Sequence, residues 1–226
     1  MRSRKALRQS EKEERKRAIC ASAHELYRKL DFDEIKMTDI AETTGLAKGT
    51  LFLYFRTKEE LFLELLIEEY EQWFHGADGI LTSGHHNSEA AWKQALQKYI
   101  ADSVESQETL YRLVAILHPV LERNINLEAA IRFKTFLSEH IRRTGGLIEE
   151  VLPTLRGGKG LKLLVQLQAL IVGFANISQP APVLRQAIEE QGFGEFQVDF
   201  KSWFSEAVNI FLNGLLTTRG AIHDNE

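Results

Sequence analysis

The stretch that decides the fold is Thr38–Lys58, TDIAETTGLAKGTLFLYFRTK. Thr38 precedes two acidic residues, as at a capped helix start, so a short helix is predicted from there to about Thr44. Gly45 then breaks the helix, and a second short helix is predicted to follow. Two such helices can cross steeply when the residue at their closest approach is small and the turn accepts a positive φ. Ala41 and Gly45 meet these requirements, so the stretch predicts a helix-turn-helix.

The second of these helices, over about residues 48–55, is predicted to carry the functional face. Its outward side chains are Lys48, Thr50, Leu53 and Tyr54, while Leu51 turns back to the core. A lysine, a hydroxyl and aromatic side chains on a small basic domain suit the major groove of DNA. Spacing alone leaves a second interpretation open, an ordinary corner between two helices of a helical enzyme or scaffold.

The charge is unevenly distributed along the 226 residues. The net charge is -4, yet residues 1–60 hold 14 basic against 11 acidic side chains, and residues 1–17 hold eight basic against three acidic. A basic amino end on an acidic body favours a polyanionic partner that meets one end only. An arm of Arg2, Arg4 and Lys5 is a candidate to reach a neighbouring DNA groove, and a solvated tail is the alternative.

The rest of the chain reads as helix, and no convincing strand is found. Apolar periodicity predicts a first helix over about residues 11–30 and a fourth from a Thr57 capping box to about His75. Later helices are predicted at about 88–104, 107–117, 127–151, 160–178 and 200–217, with Asn126 and Asp199 as caps. The fold class is therefore all-α. The predicted domains are a three-helix candidate DNA-binding domain, residues 1–59, and a larger helical bundle, residues 60–226.

Composition excludes several classes of protein. Apolar residues make up 44% and charged residues 27%, the balance of a soluble globular protein. The lone Cys20 cannot form an internal disulfide, no signal peptide is found, and polar residues interrupt the apolar stretch 161–177. A cytoplasmic protein with no membrane partner is predicted.

No catalytic or metal site is predicted. Gly45–Thr50 resembles a phosphate-binding loop, but Gly49 separates the lysine from the threonine. His85 and His86 are adjacent but have no identifiable third ligand, so no metal is expected. No pair of carboxylates, and no nucleophile with a base, is spaced in the sequence as a catalytic site would require. Neither an enzyme nor a cofactor is predicted.

The full pattern from Thr38 to Leu61, T-x-I-A-x-x-x-G-L-x-K-G-T-L-F-x-Y-F-x-x-K-E-x-L, resembles the TetR family of bacterial transcriptional regulators. The resemblance covers about the first 75 residues. It implies a homodimeric repressor that binds palindromic double-stranded DNA and responds to a small-molecule effector, here unknown.

The resemblance also implies roles for individual residues. Thr38 stands at a phosphate-facing helix start, and Lys58 lies near the DNA backbone at the start of the fourth helix. Ala47 stands where the family often has a hydroxyl cap, and Phe52 where it usually has tyrosine. The predicted DNA-binding residues are Thr38, Lys48, Gly49, Thr50, Phe52, Leu53, Tyr54 and Lys58.

Two helices near the carboxyl end are predicted to form a four-helix interface with a second copy, because the first is apolar almost all round. The core of a larger monomeric bundle is the alternative. The predicted interface residues are Leu163, Leu167, Leu170, Phe174, Phe204, Val208, Phe211 and Leu215.

A ligand pocket is predicted within helices 88–178, although aromatic residues at helical spacing are also typical of plain core. Its candidate lining residues are Trp92, Tyr99, Tyr111, His118, Phe133 and Phe136. The function predicted from all these features is a sequence-specific repressor that a ligand releases from DNA. The alternatives are a helical adaptor whose basic end docks an acidic partner and a small helical enzyme.

Overall fold

The computed structural model describes residues 4–217, and the described residues contain helices and no strand. The all-α prediction is confirmed. The α-helices are α1 Arg4–Tyr27, α2 Met37–Thr43, α3 Lys48–Phe52, α4 Lys58–Leu81, α5 Glu89–Ser106, α6 Glu108–Leu117, α7 Leu127–Val151, α8 Lys159–Ser178, α9 Pro182–Gln191 and α10 Phe200–Thr217. Short 3-10 turns stand at Leu121–Arg123, Pro153–Leu155 and Gly194–Phe196.

The described residues form two compact units. The first holds the chain up to Glu69 together with Ile116–Phe133, and the second holds Tyr70–Ala115 and the residues from Lys134 onward. The predicted domain boundary after residue 59 therefore falls inside the first unit.

The first unit has an aromatic centre on α4. Phe62 is fully buried, and the rings of Tyr27 and Phe32 meet it edge-on, with centroid distances of 5.3 Å and 4.9 Å. Such edge-to-face pairs add about 0.5–1.5 kcal/mol each beyond their buried area. Ile40 of α2 and Leu51 of α3 are fully buried in the same unit, so the short helices are anchored by their inner faces.

The second unit combines apolar packing with buried hydrogen bonds. Trp73 Nε1 donates to Ser103 Oγ at 3.2 Å, and that hydroxyl lies 2.6 Å from Tyr111 OH. Thr144 Oγ1 donates to the buried carboxylate of Asp78 at 2.7 Å. Because buried polar groups are costly unless paired, these bonds fix which side chains can meet.

The caps predicted at Asn126 and Asp199 are confirmed, and the bounds of three helices differ from the prediction. The predicted third helix, over about residues 48–55, ends at Phe52. Asn126 Oδ1 accepts from Ala129 N at 2.8 Å, and Asp199 Oδ1 accepts from Ser202 N at 2.8 Å. The first helix covers Arg4–Tyr27 and not residues 11–30. The fourth continues past His75 to Leu81, since its last turns bury Ala77 and Leu81 and packing outweighs the glycines of this segment.

Candidate DNA-binding surface

The turn between α2 and α3 depends on one glycine. Gly45 has a φ of +66°, its N–H donates to Glu42 O at 3.1 Å, and Leu46 N donates to Ala41 O at 2.9 Å. These two bonds form a Schellman motif, which ends α2 and satisfies its last carbonyls. Ala41 itself is buried, as the predicted close approach requires. The helix-turn-helix prediction is confirmed in its local geometry.

The start of α2 differs from the predicted cap. The N-cap residue is Lys36, whose N–H donates to the Asp39 carboxylate at 3.0 Å. Thr38 lies inside the first turn, half-buried, and its hydroxyl donates to Asp39 Oδ1 at 3.3 Å. Asp39 therefore caps the helix from within its first turn, because its carboxylate reaches back to the N–H group of Lys36.

The face of α3 brings most of the predicted DNA-binding residues together. Lys48, Gly49, Phe52 and Leu53 are exposed, and Thr50 and Tyr54 are half-buried beside them. Leu51 and Phe55 are buried, so the backbone that presents this face is anchored on both sides. Leu53 is 80% exposed, more than any other large apolar side chain among the described residues.

Gly49 has no role within the fold. Its φ lies outside the left-handed region, and a Cβ built on it would meet no atom within 4 Å. Glycine inside a helix costs about 0.5–1 kcal/mol relative to alanine. Since neither the backbone conformation nor internal packing requires glycine here, its position on the exposed face suits the close approach of another molecule.

Helix α3 begins without a side-chain cap. Its N-cap residue is Ala47, with φ -64° and ψ 141°, the extended conformation that a capping serine adopts. The Ala47→Ser variant is therefore expected to unfold with a free energy about 0.5–2 kcal/mol larger than wild type. Urea denaturation followed by circular dichroism would measure this. A variant no more stable than wild type would show that other groups already satisfy the first N–H groups of α3.

Lys58 is tied inside the first unit and does not stand free for DNA. Its ammonium donates to the carbonyl oxygens of Phe32 and Ile35, at 2.5 Å and 2.8 Å, and lies 4.0 Å from the centre of the Phe32 ring. Burial lowers the pKa of this amine. The structure therefore gives Lys58 a structural role, joining the start of α4 to the loop between α1 and α2.

This role predicts the effect of removing the charge. The Lys58→Met variant keeps the aliphatic stem but leaves two carbonyl oxygens without their donor, so a loss of about 1–3 kcal/mol in unfolding free energy is expected. Lys29, exposed after the end of α1, provides the control Lys29→Met, which is expected to unfold as wild type does. Equal chemical denaturation midpoints for the two variants would contradict the structural role.

Sequence reasoning missed Arg56 and could not place the amino-terminal arm. Arg56 is exposed directly after the buried Phe55. It is the sole arginine between Thr38 and Lys58, and this was the signal in the sequence that could have identified it as a candidate DNA contact. Of the predicted arm, Arg2 lies outside the described residues, as do the side chains of Arg4 and Lys5.

The predicted ligand residues are divided between the two units. His118 and Phe133 belong to the first, and Trp92, Tyr99, Tyr111 and Phe136 belong to the second. Tyr111 and Phe133 are buried, whereas His118 is exposed and lies 2.9 Å from a Glu122 carboxylate oxygen. Burial raises the pKa of Tyr111 to about 12, so the phenol stays protonated and acts as a core hydrogen-bonding group.

Tyr99 lies at an open cavity of about 380 Å³ in the second unit. The cavity lies beside α5, and His86 and Lys98 also line it. The OH group of Tyr99 donates to Trp73 O at 2.6 Å, which fixes its ring at the cavity wall. The other predicted ligand residues do not line this cavity. Among the described residues, no group of His, Cys, Asp and Glu side chains is arranged to hold a metal ion.

The predicted interface residues fall into two groups. Leu163, Leu167, Phe204 and Val208 are buried within the second unit, so they belong to the core of one chain and present no surface to a partner. The other four, Leu170, Phe174, Phe211 and Leu215, are half-buried. This corrects the prediction for the four buried residues, because an apolar helix buries one face in its own chain and that face is not available to a partner.

The exposed face of α8 is apolar in a regular pattern. Leu161, Val165 and Ile177 are exposed, with the small residues Ala169 and Gly173 between them, all at four-residue spacing. On α10 the corresponding exposed residues are Trp203 and Ile210. By length and composition α8 would also suffice to cross a membrane, a test that core helices of soluble proteins pass as well.

Comparison with known proteins gives two family matches that together cover most of the chain. Residues 19–65 match the family described as bacterial regulatory proteins, tetR family, and residues 67–219 match a tetracyclin repressor-like C-terminal domain. No curated protein sequence matches significantly.

Two solved structures resemble the fold. The transcriptional regulator FadR from Bacillus subtilis, in complex with stearoyl-CoA, has a TM-score of 0.52 and 19% identity, over 88% of this chain and 97% of its own. The TetR family repressor AlkX from a Dietzia species, implicated in biodegradation of n-alkanes, has a TM-score of 0.48 and 17% identity, over 88% and 94%.

Proposed function

Because the chain belongs to the TetR family of bacterial transcriptional regulators, we propose that it is a homodimeric repressor that a small molecule releases from palindromic operator DNA. TetR-family regulators are DNA-binding proteins and not enzymes, so the chain is a transcriptional regulator. The finer proposal includes a DNA-binding domain at residues 1–59, a regulatory domain at residues 60–226 and action in the cytoplasm.

The observation that carries the DNA-binding proposal is the exposed face of α3. Helix α3 and the turn that follows it bury Leu51 and Phe55 and present Lys48, Gly49 and Leu53 to solvent. Lys48 is the proposed contact to a base edge or phosphate, Thr50 and Tyr54 are proposed to contact phosphates, and exposed Arg56 joins them. Thr38 is proposed to lie near the DNA backbone. Lys58 contributes indirectly, by stabilising the fold of the first unit.

The dimer proposal follows from the exposed apolar stripes of α8 and α10. Leu161, Val165 and Ile177 on one helix and Trp203 and Ile210 on the other are exposed apolar side chains, which water solvates poorly. The small residues between them on α8 permit close helix packing. A dimer also has a functional reason, because two recognition helices must lie about 34–36 Å apart to read a palindrome.

A charge placed on this surface is expected to weaken the dimer. In the Ile210→Glu variant, a carboxylate replaces a side chain that is 65% exposed on α10, and burying it against a second copy would be costly. We expect the dimer Kd to rise at least about tenfold, or about 1.4 kcal/mol. Sedimentation equilibrium would measure it.

Ile131→Glu provides the matched control, since Ile131 is 57% exposed but lies in the first unit. This variant is expected to associate as wild type does. Equal dissociation constants for both variants and wild type would contradict the proposed interface.

Ligand release is tested with the intact protein bound to labelled operator DNA. The panel begins with long-chain acyl-CoA thioesters, because the structural neighbour FadR was crystallised with stearoyl-CoA. We expect one compound to raise the Kd for DNA at least about tenfold, within the range of typical allosteric coupling. A compound that binds the protein and leaves its affinity for DNA unchanged would contradict release by that ligand.

A further inference from the structure

Apart from Lys48, α3 and the turn that follows it lack the side chains that read bases by paired hydrogen bonds. From Lys48 to Phe55 the sequence is KGTLFLYF, with no Arg, Asn, Gln, Asp or Glu. Arginine or lysine reads guanine, and asparagine or glutamine reads adenine, through two hydrogen bonds each. Lys48 is the one side chain of this segment with that chemistry. Base discrimination by the other side chains of this segment must therefore come from another kind of contact.

Two apolar side chains of the same face, Phe52 and Leu53, are exposed to solvent. Leu53 is 80% exposed and Phe52 is 39% exposed, although neighbouring Leu51 is fully buried. Leu53 N donates to Thr50 O at 3.1 Å, and Tyr54 N donates to Leu51 O at 3.0 Å, so the backbone around Leu53 is held in the helical turn. Its isobutyl group thus projects from a fixed position and not from a mobile loop.

Gly49 lies one helical turn before Leu53 on the same face. A side chain at this position would meet nothing within the protein, and glycine leaves the surface there open. The exposed Leu53 side chain lies next to the open surface at Gly49. This arrangement fits a base edge that carries a methyl group. In the major groove, the thymine C5-methyl is the apolar group that a base pair of unmodified DNA presents.

We propose that Leu53 reads thymine in the operator by packing against its C5-methyl group, so that each half-site carries a thymine opposite Leu53. This rests on the proposed DNA-binding function and names how its specificity is built. Burying one methyl group against an apolar side chain corresponds to about a fourfold change in affinity per half-site, from the transfer free energy of a methylene.

The test removes only the methyl group from the DNA. The probe is the duplex enriched from random DNA by the full-length protein, and each thymine is replaced singly by deoxyuridine, which keeps every hydrogen bond. Wild type is expected to bind one substituted position in each half-site about fourfold more weakly. The Leu53→Ala variant is expected to bind thymine and uracil equally at that position.

The matched control is Leu127→Ala, because Leu127 is also in the first unit and is 75% exposed. This variant should discriminate as wild type does. Wild-type binding that no deoxyuridine weakens would overturn the reading of thymine while leaving DNA binding intact, as would undiminished discrimination in Leu53→Ala. Failure of wild type to enrich any duplex would overturn the DNA-binding function itself, and this inference with it.

Discussion

The Gly160→Ala variant is expected to lose about 3–5 kcal/mol of unfolding free energy, from backbone overlap and a lost charged hydrogen bond. Gly160 lies at the start of α8, where a Cβ would overlap the carbonyl oxygen of Gly145 in α7. This Cβ would also lie 2.9 Å from Cγ of Glu149. The Glu149 carboxylate accepts a hydrogen bond from Gly160 N at 3.0 Å. Backbone cannot move aside as a flexible side chain can, so the two helices must separate.

Urea denaturation of the intact protein would measure this loss, with Gly146→Ala as its control. Gly146 is the neighbour of Gly145 in the same helix, but a Cβ there would meet no atom within 4 Å. The control is expected to gain about 0.5–1 kcal/mol from the better helix propensity of alanine. If both variants shifted the denaturation midpoint equally, the close crossing of α7 and α8 would be wrong.

The Gly49→Ala variant is expected to change stability and DNA binding in opposite directions. Alanine should stabilise α3 by about 0.5–1 kcal/mol, because the helical backbone accepts it and a Cβ meets nothing in the protein. On DNA, the added methyl group should cost about 1–3 kcal/mol for each recognition helix, as extra volume does at a closely packed contact.

Thermal unfolding and fluorescence anisotropy on the same preparations would separate the two effects. Gly146→Ala again serves as the control, with a similar gain in stability and unchanged affinity for DNA. If Gly49→Ala bound operator DNA as tightly as wild type, the α3 face would not approach DNA at Gly49, and the proposed orientation of the helix would fail.

Local signals explain why the helix-turn-helix could be predicted from the sequence. Gly45 breaks the helical pattern at a point where the chain requires a positive φ, and the caps at Asn126 and Asp199 act within three residues. Each of these features depends on neighbours in the sequence, so reading along the chain finds them.

The features that sequence reasoning missed depend on distant partners. The carbonyl groups that hold Lys58 come from Phe32 and Ile35, more than twenty residues earlier. Likewise, α8 is apolar almost all round, so periodicity could not tell which of its faces packs inside the chain. Four of the eight predicted interface residues are therefore core residues, and the prediction left out Leu161, Val165 and Ile177, which are exposed.

The most direct test of the account is the affinity of the intact protein for DNA from upstream of its own gene, relative to a scrambled duplex of equal length. Fluorescence anisotropy at a fixed, near-physiological salt concentration would measure both dissociation constants. A specific regulator is expected to prefer the first duplex by about a thousandfold or more. Equal, weak binding to both duplexes would contradict the claim that the exposed face of α3 reads an operator there.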